Sequence, residues 1–228
     1  MQPNPQPIFL FADSSLLFWG EGGNLFLDSV RHLTARASPK AAYIGASNGD
    51  KPEFYSIFEA AMDGIGVHDR RMILRSFSAE ERSFLNEADI ILLAGGDVEL
   101  GWNVFVETGM KEFITRRYDE GAVLIGISAG AQQLGLFGNI EGSSGTELVS
   151  TFQLVPFLID AHDEGQGWSR LRMAMRLLSG SARGIGIPAG GGMVYYPDQQ
   201  VEAVRRPLHE FSIEGESIKE ALLLPRQK

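Results

Sequence analysis

Apolar runs of strand length alternate with amphipathic stretches from residue 8 to about residue 137, and this alternation constrains the fold more than any other feature of the sequence. The apolar runs fall at residues 8–11, 41–45, 72–74, 89–93 and 122–125; a further short run at 16–19 is either a second strand or the far side of a break. Between them, residues 24–33 show helical spacing through Leu25, Phe26, Val30 and Leu33. Pro52 opens a stripe of Phe54, Ile57, Phe58 and Ala61 that closes at Gly64 and Gly66. Ser78-Ala79-Glu80-Glu81 has the spacing of a capping box. Trp102, Phe105, Val106, Phe113 and Ile114 would line the inner face of one more helix. Strand and helix in alternation predict an α/β chain with a mostly parallel sheet, helices on both faces in three layers, and right-handed crossovers. In such a sheet, ligands bind beyond the carboxyl ends of the strands. The second half is less regular: a strand at 154–159, a polar loop at 160–167 carrying His162, a helix at 168–178, and short strands at 184–187, 193–196, 201–204 and 210–213. One domain over 1–228 is expected, with residues 1–7, which carry Pro3, Pro5 and Pro7, as a flexible lead-in.

The run Ala122-Val123-Leu124-Ile125 passes directly into Gly126-Ile127-Ser128-Ala129-Gly130 and then into helix-forming residues. A G-x-S-x-G between a buried strand and a helix is the pattern of a nucleophile elbow: the glycines let two backbones pass closely, and the turn lifts a serine hydroxyl over the sheet edge. The N-terminus of the helix beneath offers free N–H groups to a developing oxyanion. The same pattern also serves a plain strand-loop-helix junction packed with small residues. A second glycine loop, Gly95-Gly96-Asp97, leaves the preceding strand, and the two loops should be neighbours in space.

Composition removes several classes. The formal charge is −9 and Lys and Arg form no long runs, which argues against a nucleic-acid partner. With no cysteine there is no disulfide, no thiolate metal site and no cysteine nucleophile. No stretch approaches membrane-spanning length, and the first residues lack the basic segment of a secretory signal, so a soluble cytoplasmic protein is expected, without cofactor or metal. Homodimerisation is common by base rate.

A serine nucleophile needs a base, most often histidine. His32 lies on a predicted helix and His68 just after one, which suits structural or solvated roles; His209 stands beside Glu210 near the C-terminal end. His162 sits in a loop straight after a buried strand, where functional residues tend to be mounted, in the company of Asp160, Asp163 and Arg170.

Four pieces, in order, resemble the cyanophycinase and aspartyl dipeptidase (dipeptidase E-like) group of serine peptidases on the class I glutamine-amidotransferase-like fold. They are Ile90-Ile91-Leu92-Leu93-Ala94-Gly95-Gly96-Asp97, Gly126-Ile127-Ser128-Ala129-Gly130-Ala131, Leu158-Ile159-Asp160-Ala161-His162 with Ser169-Arg170-Leu171 after it, and Gly184-Ile185-Gly186-Ile187. The resemblance spans about residues 40–205. It implies Ser128 as nucleophile, His162 as general base, the N–H of Ala129 and of Gly96 or Asp97 as oxyanion donors, and Arg170 as a holder of an acidic substrate. It further implies metal-free cleavage of peptide bonds at aspartyl residues through an acyl-enzyme, with a small peptide or amide as substrate.

The chain departs from that pattern in two places. Where the group carries an acidic pair that orients the histidine, this sequence has Pro188-Ala189-Gly190-Gly191-Gly192; after the histidine it has Asp163 in place of phenylalanine. Another carboxylate (Asp160, Asp163, Glu164 or Asp198) would have to take that post. Otherwise the chain is an impaired relative that binds a small molecule or peptide in the same cleft. A third reading is an α/β-hydrolase-type esterase, whose order Ser, acid, His would be met by Ser128, Asp198 and His209.

Overall fold

The computed structural model describes residues 5–142, 145–178, 182–215 and 217–226, so residues 1–4 of the expected lead-in lie outside it. In chain order, β1 (Ile8–Phe11) leads through a small hairpin, β2 (Gly20–Glu21) and β3 (Asn24–Leu25), into α1 (Asp28–Leu33). The alternation then runs β4 (Lys40–Ile44), α2 (Pro52–Gly64), β5 (Asp69–Ile73), α3 (Ala79–Leu85), β6 (Ile90–Leu93), α4 (Val98–Thr108), α5 (Met110–Asp119), β7 (Val123–Ile127) and α6 (Ala129–Leu134). A second hairpin, β8 (Phe137–Gly142) and β9 (Gly145–Ser150), precedes β10 (Leu158–Ala161), α7 (Ser169–Leu177) and β11 (Gly184–Ile187). The chain closes with β12 (Gly192–Tyr195), β13 (Val201–Val204), β14 (Leu208–Glu214) and β15 (Ser217–Leu223).

The principal sheet has the order β13-β12-β1-β7-β6-β4-β5. From β1 to β5 every neighbour is parallel, and β12 and β13 add an antiparallel edge. Strands of a sheet covered on both sides must be apolar at every position, and β1, β6 and the Val123–Gly126 part of β7 are buried throughout. Phe9, Phe11, Tyr43, Leu92 and Ile125 face Leu27 at the N-cap of α1, Val30 within it, and Phe58 and Met62 of α2. Ile8, Leu10, Ile44, Leu93 and Leu124 face Trp102 and Phe105 of α4, Ile114 of α5, Leu134 of α6, and Ile159 and Ile185 of a second sheet. That second sheet, β10-β11-β14-β15, carries α7 on its other side through Leu158, Trp168, Leu171, Met175 and Phe211.

The mixed α/β architecture with a large, mostly parallel sheet is the one expected from the alternation, but four local expectations change. The stretch at 24–33 spends its first residues on the β2–β3 hairpin, and residues 16–19 form no strand: a 3-10 turn spans Ser14–Leu17 after Asp13 caps it. The helix expected to run through Trp102 and Ile114 is two helices, broken at Gly109 in the left-handed region (φ 74°), which leaves Val106 55% exposed rather than inward. The strand expected at 154–159 starts later, at Leu158, and takes in Asp160 and Ala161. No described helix is long and apolar enough to cross a membrane.

Candidate active site

β1 and β7 pair in register from Ile8↔Leu124 to Phe11↔Ile127, so residues 12–13 and 128 leave the sheet side by side at its carboxyl edge. Ser128 continues the ladder by donating its N–H to the Phe11 carbonyl (2.9 Å) and then turns sharply, at φ 49° and ψ −106°, into α6. A positive φ at a residue other than glycine costs energy and persists only where its surroundings enforce it. Here the flanking glycines enforce it. A Cβ on Gly126 would stand 2.6 Å from the Gly130 carbonyl oxygen, and one on Gly130 would stand 2.7 Å from the Leu93 carbonyl carbon, so neither backbone approach survives a side chain. Ser128 occupies the N-cap of α6, yet its hydroxyl makes no capping bond. It lies instead 2.8 Å from the His162 Nε2 atom.

The second glycine loop does lie alongside. A Cβ at Gly95 would be 3.3 Å from the Ser128 Cβ. Gly96 has φ +139° and passes so close to the Ser47 carbonyl that any Cβ there would clash. Of the two expected donors in this loop, Asp97 is excluded: its N–H is given to the Ser47 carbonyl (2.8 Å), and its carboxylate accepts from the Leu100 N–H (2.8 Å) as the N-cap of α4. The Gly96 N–H has no acceptor among the described residues, and Ala129, first residue of α6, has none within its helix. Behind them Gln133, fully buried, ties α6 to the loops through the Ser47 Oγ (3.1 Å) and the Val98 carbonyl (2.9 Å).

His162 also sits at positive φ (47°), held by its N–H donating to the Ile187 carbonyl (2.9 Å) at the end of β11. Among the described residues its ring makes one hydrogen bond, to Ser128, and no ion pair. None of the expected orienting carboxylates stands behind it. Asp160 is fully buried and accepts from the Ala161 N–H (2.9 Å), Arg170 Nη2 (3.1 Å) and Gln132 Nε2 (3.4 Å); burial pushes its carboxyl up to about 6, against the opposing pull of Arg170. Asp163 pairs with the same Arg170 nitrogen at 3.7 Å. Glu164 accepts from the Ala189 N–H (3.0 Å). Asp198 lies in the turn after β12, where it bonds Gln200; since Tyr195 pairs with Ile8, that turn is at the opposite end of β1 from Ser128. Arg170 pairs through Nη2 with Asp160 and Asp163, stays 46% exposed and is not among the residues lining the cavity, so the lining gives its expected contact with substrate no support.

The esterase constellation is therefore not assembled. His209, on β14, bonds Glu220 (2.7 Å) and packs against Trp168 with ring centroids 5.1 Å apart, while Asp198 is at the far sheet edge. His68 pairs with Asp63 at 3.2 Å.

The sequence reading missed Asp13. It stands two residues beyond β1, one past the position level with Ser128, lines the same cavity, and holds the Ser15 N–H (2.8 Å) and the Gly190 N–H (2.6 Å). Although burial opposes it, these bonds and the neighbouring His162 keep its carboxyl below the usual range. The signal was available: a carboxylate that ends the apolar run Ile8 to Ala12. Asp13 and Glu164 together tether, through Gly190 and Ala189, the glycine-rich loop that stands where an acidic pair was expected.

A cavity of about 660 Å3 opens at this edge and reaches Ser128 and His162; its size is that of a small-molecule site. A serine hydroxyl in hydrogen-bond contact with an imidazole, beside two backbone N–H groups without an acceptor among the described residues, is an arrangement able to carry out acyl transfer. Among the described residues no three His, Asp or Glu side chains converge as a metal site.

The chain is similar to known proteins in family and in fold. The profile of peptidase family S51 matches residues 11–204. Over 113 residues the chain is 26% identical to the uncharacterized peptidase YgaJ of Bacillus subtilis strain 168, a match that spans 49% of either chain, about half the length of that relative. Its fold is similar to that of a peptidase from an acI-B1 Actinobacterium (TM-score 0.73, 16% identity, 98% of this chain and 96% of that one). It is also similar to a candidate peptidase E protein from Listeria monocytogenes EGD-e (TM-score 0.61, 15% identity, 97% and 100%).

Proposed function

The chain belongs to peptidase family S51, and on that premise we propose that it is a serine-type hydrolase that cleaves a small peptide or amide through a Ser128–His162 acyl-enzyme. The carrying observation is the 2.8 Å contact between the Ser128 hydroxyl and His162 Nε2. His162 takes the hydroxyl proton as Ser128 Oγ attacks the scissile carbonyl carbon. The oxyanion that forms is met by the Gly96 and Ala129 N–H groups. His162 then passes the proton to the departing amine, and water, activated by the same imidazole, releases the acid product and restores Ser128. His162 is aimed by its backbone and not by a carboxylate behind the ring, so the pair acts as a dyad.

The aspartyl specificity implied by the resemblance is not supported by the cavity, whose lining contains no arginine among the described residues. The absent orienting acid favours a second reading, a cleft that binds but does not hydrolyse; loss of that acid from a triad costs about 10⁴ in turnover. One experiment separates the two. A small fluorophosphonate should label the wild-type chain at Ser128, fail on Ser128→Ala, slow at least about a hundredfold on His162→Ala, and be unaffected by His209→Ala. A wild-type chain that stays unlabelled while a Ser128-containing peptide is seen intact by mass spectrometry leaves the binding reading.

A further inference from the structure

The walls of the cavity beside Ser128 differ from what an acid-specific pocket requires. Its interior is formed by Leu17, Ile57 and Phe58, with Ile127 next to the nucleophile. At the mouth, Phe54 of α2 and Leu100 of α4 are 47% and 40% exposed, two large apolar side chains that no core packing explains. Single exposed apolar residues are ordinary; two that continue an apolar cavity into solvent mark a binding surface.

The charged residues of the lining are Asp13, Asp97 and Lys51. Both carboxylates already accept backbone N–H groups, and Lys51 stands exposed at the N-cap of α2, on the rim. A substrate carboxylate placed inside would lose its water against apolar walls and face two like charges. The nearby cation that could have served it, Arg170, is outside the cavity, on Asp160 and Asp163.

The direction of the cavity assigns the substrate residue. The leaving amine must depart towards His162, which protonates it, and His162 enters from the second sheet. The rest of the lining belongs to the principal sheet and its helices, so the cavity runs from Ser128 away from β10 and under α2. We propose that it receives the acyl-side side chain and selects a large apolar one, of the phenylalanine, leucine or methionine class, over aspartate or glutamate. Phe54 and Leu100 are its specificity-determining residues. The inference rests on Ser128 being the nucleophile.

The test uses three probes on the full chain: the small fluorophosphonate, and diphenyl phosphonates carrying a phenylalanine or an aspartate side chain. The phenylalanine reagent should inactivate at least about tenfold faster than the aspartate one, the discrimination a hydrophobic pocket supplies. Leu100→Arg and, separately, Phe54→Arg should move that ratio at least about tenfold towards aspartate; because it is a ratio, partial loss of folded protein does not affect it. Labelling of Ser128 by the small probe together with equal or aspartate-favouring inactivation overturns the apolar specificity and leaves the hydrolase standing. So does a ratio unmoved by both variants. If the small probe labels nothing, the hydrolase reading falls, and equilibrium binding of the two phosphonates is measured instead. Tighter binding of the phenylalanine reagent by about tenfold then sustains the apolar selectivity of the cavity alone, the acyl-side assignment falling with the hydrolase; equal, reversed or absent binding overturns both.

Discussion

Gly130→Ala is the most informative single change, because it asks whether the elbow exists for the reason given above. Gly130 lies in the first turn of α6 directly over β6. An added Cβ would be 2.7 Å from the Leu93 carbonyl carbon, 2.9 Å from the Leu93 Cβ, and closer still to the Leu93 carbonyl oxygen. Ordinary van der Waals contact begins near 3.4 Å. The carbon contact is therefore short by about 0.7 Å, and the obstacle is the backbone of a central strand, which has no rotamer to change. Either α6 rises from the sheet or the strand shifts by about an ångström. Overpacking of this kind costs about 1–3 kcal/mol, and an ångström of misplacement at a reacting group costs about a hundredfold in rate. Gly165, in the turn after His162, is the matched control, since a Cβ there meets nothing within 4 Å. Urea unfolding should show the loss for Gly130→Ala and little change for Gly165→Ala. The fluorophosphonate labelling rate of Ser128 should fall about a hundredfold only in the former. Stability and labelling that match the control in both assays would refute the close-approach argument, and with it the account of why Ser128 is held in its strained conformation.

Four further outcomes follow from the geometry. Asp160 has its carboxyl raised by burial from 3.8 to about 6, so between these values the folded chain keeps a proton that the unfolded chain has lost, and stability falls as pH rises through that window; Asp160→Asn removes this loss, and the stability of the variant relative to wild type should climb from about pH 4 to 6 and then level off, whereas parallel curves would contradict the burial argument. The capping box of α3 is complete, with the Glu81 N–H donating to Ser78 Oγ and the Glu81 carboxylate accepting from the Ser78 N–H, so Ser78→Ala should cost about 1 kcal/mol in urea unfolding. Although burial opposes it, Glu81 is held below its ordinary 4.5 by these backbone bonds, so its stabilisation should be present above that value and fade as the pH falls beneath it. Trp168, 2% exposed, lies against Gly186 and Phe211 between α7 and the second sheet, and Trp168→Ala should cost about 3–5 kcal/mol, with His162 losing its mount; an unchanged denaturation midpoint would show that α7 does not hold that sheet in place.

Much of this was legible from one dimension. Period and composition identify a covered parallel sheet, because only strands buried on both faces are apolar at every position, as β6 and most of β7 are. The spacing of Gly126, Ser128 and Gly130 announced a close backbone crossing, and Ser78 with Glu81 announced a helix start, since both are local chemistries complete within a few residues. The breaks were less legible. The helix division at Gly109 and the hairpin at residues 20–25 depend on what each segment packs against, so apolar spacing alone ran across them, and it signalled neither β8 nor β9.

What tertiary structure decided was pairing across long separations. Residues 34 positions apart supply the Ser128–His162 contact; the sequence could nominate both members but not measure their distance. It also nominated Asp198 and His209: register removes the first, since a strand pairing Ile8 with Tyr195 puts Asp198 at the wrong end of the sheet, and the second is taken by Glu220 and Trp168. Arg170 and Asp97 illustrate the same limit, because a side chain or N–H offered to substrate by its place in a motif can be taken by a neighbour from elsewhere in the chain, here Asp160 and the Ser47 carbonyl. Local backbone preference and hydrophobic period are written residue by residue; which donor meets which acceptor is fixed only when the sheet closes and every buried polar group competes for a partner.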